Sequence, residues 1–178
     1  EFERFMASPA RIFAIVGTNG QGKSHWAAQQ RSRPPVATQV EIVRGDDIEG
    51  SDQHVVDTLA RLLQSQRLGP LSEVDLKQAV FDWLDDASRV LIIDGLDRAP
   101  SPKLHDWLTK SFALTACNTL RFVVTSRPIA WAAVAPDIKV NRELIHRPVD
   151  AERGNFPSVG LGLLSDAEAA EIYVAYGL

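Results

Sequence analysis

One short stretch constrains this chain more than any other: Gly17-Thr18-Asn19-Gly20-Gln21-Gly22-Lys23-Ser24. It satisfies G-x-x-x-x-G-K-[ST] at every fixed position, the pattern of a loop that wraps a phosphate. The run before it, Arg11-Ile12-Phe13-Ala14-Ile15-Val16, is short and apolar until the glycine, so it reads as a fully buried strand. Lys23 to about Arg31 reads as a helix, stopped by Arg33-Pro34-Pro35 because proline lacks the donor a helix interior needs. Each part has a physical use. Glycines let backbone N–H groups turn inward and approach a phosphate closely. The helix start adds its positive end. Lys23 would meet the β- and γ-phosphates as a point charge, and the Ser24 hydroxyl is a hard oxygen ligand suited to Mg²⁺. The plain alternative is a glycine-rich turn without function, and the strand–loop–helix order argues against it. His25 and Trp26 read as packing residues.

Two later strand ends repeat the change from apolar to charged. Arg89-Val90-Leu91-Ile92-Ile93-Asp94 is apolar until its last residue and runs on into Gly95-Leu96-Asp97. A carboxylate at the edge of a buried strand is costly without a partner, and a Mg²⁺ beside the phosphate loop is a natural one. Asp94 is therefore the candidate metal ligand, and Asp97 the candidate group for polarising an attacking water. The alternative is an ordinary Asp-Gly turn. Thr119 to Thr125 is another buried strand, followed by Ser126-Arg127-Pro128. Ligands of parallel sheets bind outside the carboxyl ends of the strands, so Arg127 can reach a γ-phosphate. A surface arginine is the bland reading.

The rest of the chain alternates in the same way. Val36 to Val43 predicts a strand. Ser51 to Gln64 predicts a helix capped by Ser51, and Ser72 opens another with Val74, Leu76, Ala79, Val80, Trp83 and Leu84 on one face. Pro102 to about Ala113 is helical, and Trp131 to Val134 suits a short helix. Glu143 to Val149 reads as a short strand, Asp150 to Phe156 as loop, and Val159 to Leu164 as a last strand. Ser165-Asp166-Ala167-Glu168 is a capping-box pattern that opens a final helix ending near Gly177. Alternating strands and helices predict a mostly parallel α/β sheet with helices on both faces. The predicted organisation is an N-terminal extension or cloning remnant over 1–10, a nucleotide-binding core over 11–160, and the start of a following helical subdomain over 161–178.

Composition narrows the class. The chain has 178 residues, 45% of them apolar, which suits one globular domain. Lys plus Arg is 19 and Asp plus Glu is 23, a formal charge of −4. That balance gives no indication of direct nucleic-acid binding, although a local basic cleft stays open. The single cysteine, Cys117, cannot form an internal disulfide or a zinc cluster; it reads as a small buried thiol. A reducing, cytoplasmic setting is the expectation. No stretch is long and apolar enough for a membrane helix.

Together, the Gly17–Ser24 loop, the Asp94-Gly95-Leu96-Asp97 strand end and Thr125-Ser126-Arg127 resemble the STAND class of P-loop NTPases, especially its NACHT and NB-ARC branches. The resemblance covers Arg11 to Arg127 and, more weakly, the tail, where Leu163 to Ala169 is similar to the start of the family's helical subdomain. It implies a three-layer P-loop NTPase fold with the sensor strand between the Walker A and Walker B strands. It implies Asp94 as the metal aspartate, Thr125-Ser126-Arg127 as sensor 1, and ATP or ADP with Mg²⁺ as cofactors. The family's proteins are slowly hydrolysing ATP switches in signalling, defence or transcription control. Self-association and further domains of a longer protein are the partners it implies. NACHT proteins usually carry a further acidic residue where this chain has Arg98, which implies intact binding with weak turnover.

Other readings remain. A small-molecule or nucleotide kinase would share the phosphate loop, and Arg142, Arg147 and Arg153 lie where such kinases carry an arginine-rich lid. An AAA-type motor subunit would need a trans-acting arginine at a subunit edge, and Arg127 lies too close to its strand end for that. An ABC transporter subunit would need a Leu-Ser-Gly-Gly signature before Asp94. An interaction domain with a degenerate site would not need intact Walker elements.

Overall fold

The structure, a computed structural model, describes residues 1–34, 37–48, 52, 54–65, 71–96, 102–114, 118–135, 142–146 and 159–160; for 102–104, 142 and 159–160 it describes the backbone alone. Among the described residues there are five strands: β1 (Ile12–Val16), β2 (Gln39–Arg44), β3 (Arg89–Asp94), β4 (Arg121–Ser126) and β5 (Val159–Gly160). Helices α1 (Phe2–Met6), α2 (Lys23–Ser32), α3 (Val55–Ser65), α4 (Glu73–Asp85), α5 (Pro102–Ala113) and α6 (Pro128–Val134) intervene.

The strands lie in the order β2-β3-β4-β1-β5 and every pairing is parallel. Parallel neighbours cannot be joined by a tight turn, so the connections carry helices. This is the α/β fold of P-loop NTPases, with β4 between β1 and β3 as expected. Period-two alternation divides the strand side chains between two layers. Ile12, Ala14, Leu91, Ile93, Phe122 and Val124 pack with Leu59 of α3, Trp83 of α4, Trp107 and Phe112 of α5 and Trp131 of α6. Phe13, Ile15, Ile92 and Val123 face the other way, toward Phe5 of α1 and Ala27 of α2. Burial on both faces explains why these strands read as continuous apolar runs. Ser72 caps α4 by accepting the Asp75 amide at 3.2 Å.

Several sequence expectations shift, among them the short helix predicted from Trp131, which begins at Pro128, and the strand predicted from Thr119, which begins at Arg121. The strand predicted from Val36 begins at Gln39; Ala37 has a φ of 60°, a turn geometry that a strand cannot contain. The helix predicted from Ser51 begins at Val55, whose amide donates to Ser111 Oγ at 2.9 Å; Ser51 lies outside the described residues. Glu143 to Val149 does not begin a strand: Arg142–Leu144 is a 3-10 turn, and Ile145 makes a single parallel bridge to Ile12. Two backbone bonds tie this segment to the start of β1, from Arg11 N to Leu144 O at 2.7 Å and from His146 N to Ile12 O at 2.8 Å. Cys117, Arg147 and Arg153, and everything from Leu161 onward, lie outside the described residues.

Residues 1–10, read as an extension, contain α1, and its Phe5 is fully buried. The anchor is Arg121, at the amino end of β4 and only 7% exposed. Its Nη1 donates to Phe5 O at 2.7 Å, Ser8 O at 3.1 Å and Ala10 O at 3.2 Å, and its guanidinium lies over the Phe5 ring. Burial holds the Arg121 pKa below the usual arginine range, and the charge of Arg11 adds to that. Arg121→Met is expected to destabilise the protein by about 2–4 kcal/mol, because three carbonyls lose a charged donor. Urea unfolding would measure it; an unchanged midpoint would show that the clamp contributes nothing.

Candidate functional site

The parallel sheet brings three strand ends to one edge. β1 and β4 run in register to their last residues, Val16 opposite Ser126, and the Gly17 amide donates to Ser126 O at 3.1 Å. The phosphate loop thus leaves the sheet directly beside Arg127. β3 flanks β4 on its other side, with Ile93 opposite Val124, so Asp94 ends one residue step beyond.

The loop's shape depends on two left-handed glycines, Gly20 (φ 80°) and Gly22 (φ 76°), a conformation that a side chain would strain. Gly22 is also the N-cap of α2; it offers the first amides no side chain, and the first turn carries no carboxylate. The helix start is therefore a surface for an anion. Lys23, its first residue, donates from Nζ to Gly17 O at 2.7 Å and Thr18 O at 2.9 Å. Its charge lies over the loop rather than out in solvent. The Thr18 amide donates to Gln21 Oε1. Asn19 and Ser24 are exposed.

Asp94 is buried, 5% exposed. Its Oδ1 accepts from Thr125 Oγ1 at 2.6 Å; the same hydroxyl accepts the Gly95 amide at 2.9 Å, and the Leu96 amide donates to Thr125 O at 3.0 Å. Gly95 takes a φ of 76°, which turns the chain away from β3. Thr125, itself fully buried, thereby ties the ends of β3 and β4 together. The sequence reading placed it in sensor 1 by resemblance but did not foresee this tie to Asp94. Its place directly after the apolar run Phe122-Val123-Val124 was visible in the sequence; its bond to Asp94 was not.

The structure brings Gly17, Thr18, Asn19, Gly20, Gln21, Gly22, Lys23, Ser24, Asp94 and Arg127 to the carboxyl edge of the sheet. Arg127 is exposed and N-caps α6, with Pro128 in the first turn. Asp97 and Arg98 lie outside the described residues. Trp83, Trp107 and Trp131 are core residues, and Trp26 meets the Phe2 ring edge-on at 5.3 Å. The donor set at the edge, a serine hydroxyl and a buried carboxylate, is all oxygen and fits Mg²⁺. Among the described residues no helix is long and apolar enough to cross a membrane.

No curated protein matches the chain. Among solved structures, it is similar to the Orc1 protein of Aeropyrum pernix in complex with DNA, at 12% identity and a TM-score of 0.49, over 94% of this chain and 43% of that one. The chain therefore spans less than half of that protein's length. That structure is a complex with DNA, and the reading that no direct nucleic-acid binding is indicated for this chain is withdrawn. The expectation rested on a net charge of −4, a sum that does not describe any one face. A likeness this distant says nothing of what this chain itself binds.

The AAA domain family matches residues 6–130, from α1 through the start of α6. The match takes in the loop, the buried aspartate and the strand between them. Sequence reasoning set the AAA-type reading below the STAND one on the position of Arg127. The coarser conclusion holds: this is a P-loop nucleotide-binding chain of AAA type, and it belongs to the AAA domain family.

Proposed function

We propose that this domain binds ATP with Mg²⁺, hydrolyses it slowly, and acts as the nucleotide switch of a signalling or defence protein of the STAND, NACHT-like kind. One observation carries the reading. A complete phosphate loop stands beside a buried aspartate locked by Thr125 and beside an exposed arginine at the neighbouring strand end.

The residues divide the work by chemistry. The amides at the start of α2 and the Lys23 ammonium would hold the β- and γ-phosphates. Ser24 and Asp94 would hold Mg²⁺, which when bound neutralises phosphate charge and polarises the γ-phosphate. Thr125 keeps Asp94 from turning, because its hydroxyl donates to one carboxylate oxygen while its own lone pair is occupied by the Gly95 amide. Asp97 is the proposed water-polarising base. Arg127, as an exposed cation at the γ-phosphate end, would distinguish ATP from ADP.

The test is a calorimetric titration of ATP and ADP, each with Mg²⁺. Wild type is expected to favour ATP by about tenfold or more, the worth of one charge-assisted contact. Arg127→Ala should bind both nucleotides equally. Equal affinities in wild type as well would remove the sensing role. Phosphate transfer to an added small-molecule acceptor, rather than to water, would favour the kinase reading.

A further inference from the structure

Thr18 is gripped from two sides. Its amide donates to Gln21 Oε1, and its carbonyl accepts from Lys23 Nζ. The two gripping residues flank Gly22, and Gln21 itself stands between two left-handed glycines. That geometry turns the Gln21 side chain back over the start of the loop. A β-carbon added at Gly17 would overlap Gln21 Oε1, and its three nearest atoms all belong to Gln21. Gly17 does not have a positive φ, so backbone strain is not what calls for glycine there. What a methyl group there would meet is the far end of the Gln21 side chain, which it would displace.

We infer that Gln21 is a positioning residue for nucleotide binding: its side-chain amide packs on Gly17 and braces the Thr18 amide, holding the loop and Lys23 in shape before a phosphate arrives. The inference rests on the proposed binding of a nucleotide. Its physical basis is preorganisation. A loop with glycines at Gly17, Gly20 and Gly22 has much backbone freedom to lose, and a brace inside the fold moves part of that cost from binding to folding. Lys23 and Gln21 hold opposite ends of one residue, so releasing either end loosens the other.

A double-mutant cycle reads the brace directly. Mg-ATP is titrated into wild type, Gln21→Ala, Gly17→Ala and the double variant. Gln21→Ala is expected to bind about tenfold more weakly, equivalent to about 1.4 kcal/mol. Gly17→Ala should lose a similar amount, because its methyl group expels the Gln21 amide. The double variant should be no weaker than Gln21→Ala, since the two closest atoms are then gone and the β-carbon of residue 21, at 3.5 Å, is an ordinary contact. Hydrogen exchange gives a second readout: the Thr18 amide should exchange slowly in wild type and in Gln21→Glu, which keeps an acceptor oxygen, and rapidly in Gln21→Ala. Additive losses in the double variant, or wild-type affinity in Gln21→Ala, would overturn the brace alone. A wild type that binds neither ATP nor ADP would overturn the functional reading itself.

Discussion

Lys23→Ala should bind ATP and ADP at least about 100-fold more weakly than wild type while folding normally, because charge-assisted contacts to two phosphates are each worth well over 1 kcal/mol. The ammonium lies over the loop, bonded to Gly17 O and Thr18 O. Alanine removes the counter-charge and the tether together. The effect on stability should stay within about 1 kcal/mol, since a half-buried lysine bonded to loop carbonyls contributes little to the core. Calorimetry and circular dichroism separate the two. A variant that binds within about threefold of wild type would take the Gly17–Ser24 loop out of nucleotide binding.

The second large effect is expected at Asp94. Asp94→Asn should lower single-turnover hydrolysis by about 100-fold or more and abolish its dependence on Mg²⁺, since the buried carboxylate is the charge that fits the ion. Stability should change little or rise, because a neutral amide is cheaper to bury than a carboxylate. Asparagine has one acceptor oxygen, so it can keep the Thr125 bond or face an ion, but not as a charged group. Thr125→Val serves as the contrast. It leaves Asp94 Oδ1 without its donor and the Gly95 amide without its acceptor, and should cost about 1–3 kcal/mol of stability. Activity lost without stability at Asp94, and stability lost with activity at Thr125, would separate the charge from its support. An Asp94→Asn protein that turns over at the wild-type rate refutes the metal role.

Much of the architecture was legible because it is local. Arg89–Asp94 and Pro102–Ala113 lie where the apolar run and the helical spacing predict them. Each depends on neighbours within one strand or one helical turn. Boundaries failed where a distant partner decides them. The start of α3 answers to Ser111, 56 residues away, and Ile145 joins β1 by one bridge to Ile12, far away in the chain. The candidate site divides in the same way. The loop motif and Asp94 are readable as strings of residues. Thr125 is not, since its meaning lies in a bond to a side chain 31 positions earlier.

By itself, the sequence determined that a buried strand turns through glycines into a helix with Lys23 at its start, that another strand ends in Asp94, and that a third leads into Arg127. Those features follow from short-range sterics and from the cost of burying charge. The place of β4 between β1 and β3 was implied by the family resemblance and by no local pattern, and only the tertiary structure decided that Thr125 holds Asp94 and that Arg121 anchors a segment more than a hundred residues away in the chain. Strand order and long-range hydrogen bonds depend on the packing of the whole sheet, and no local window of residues contains that.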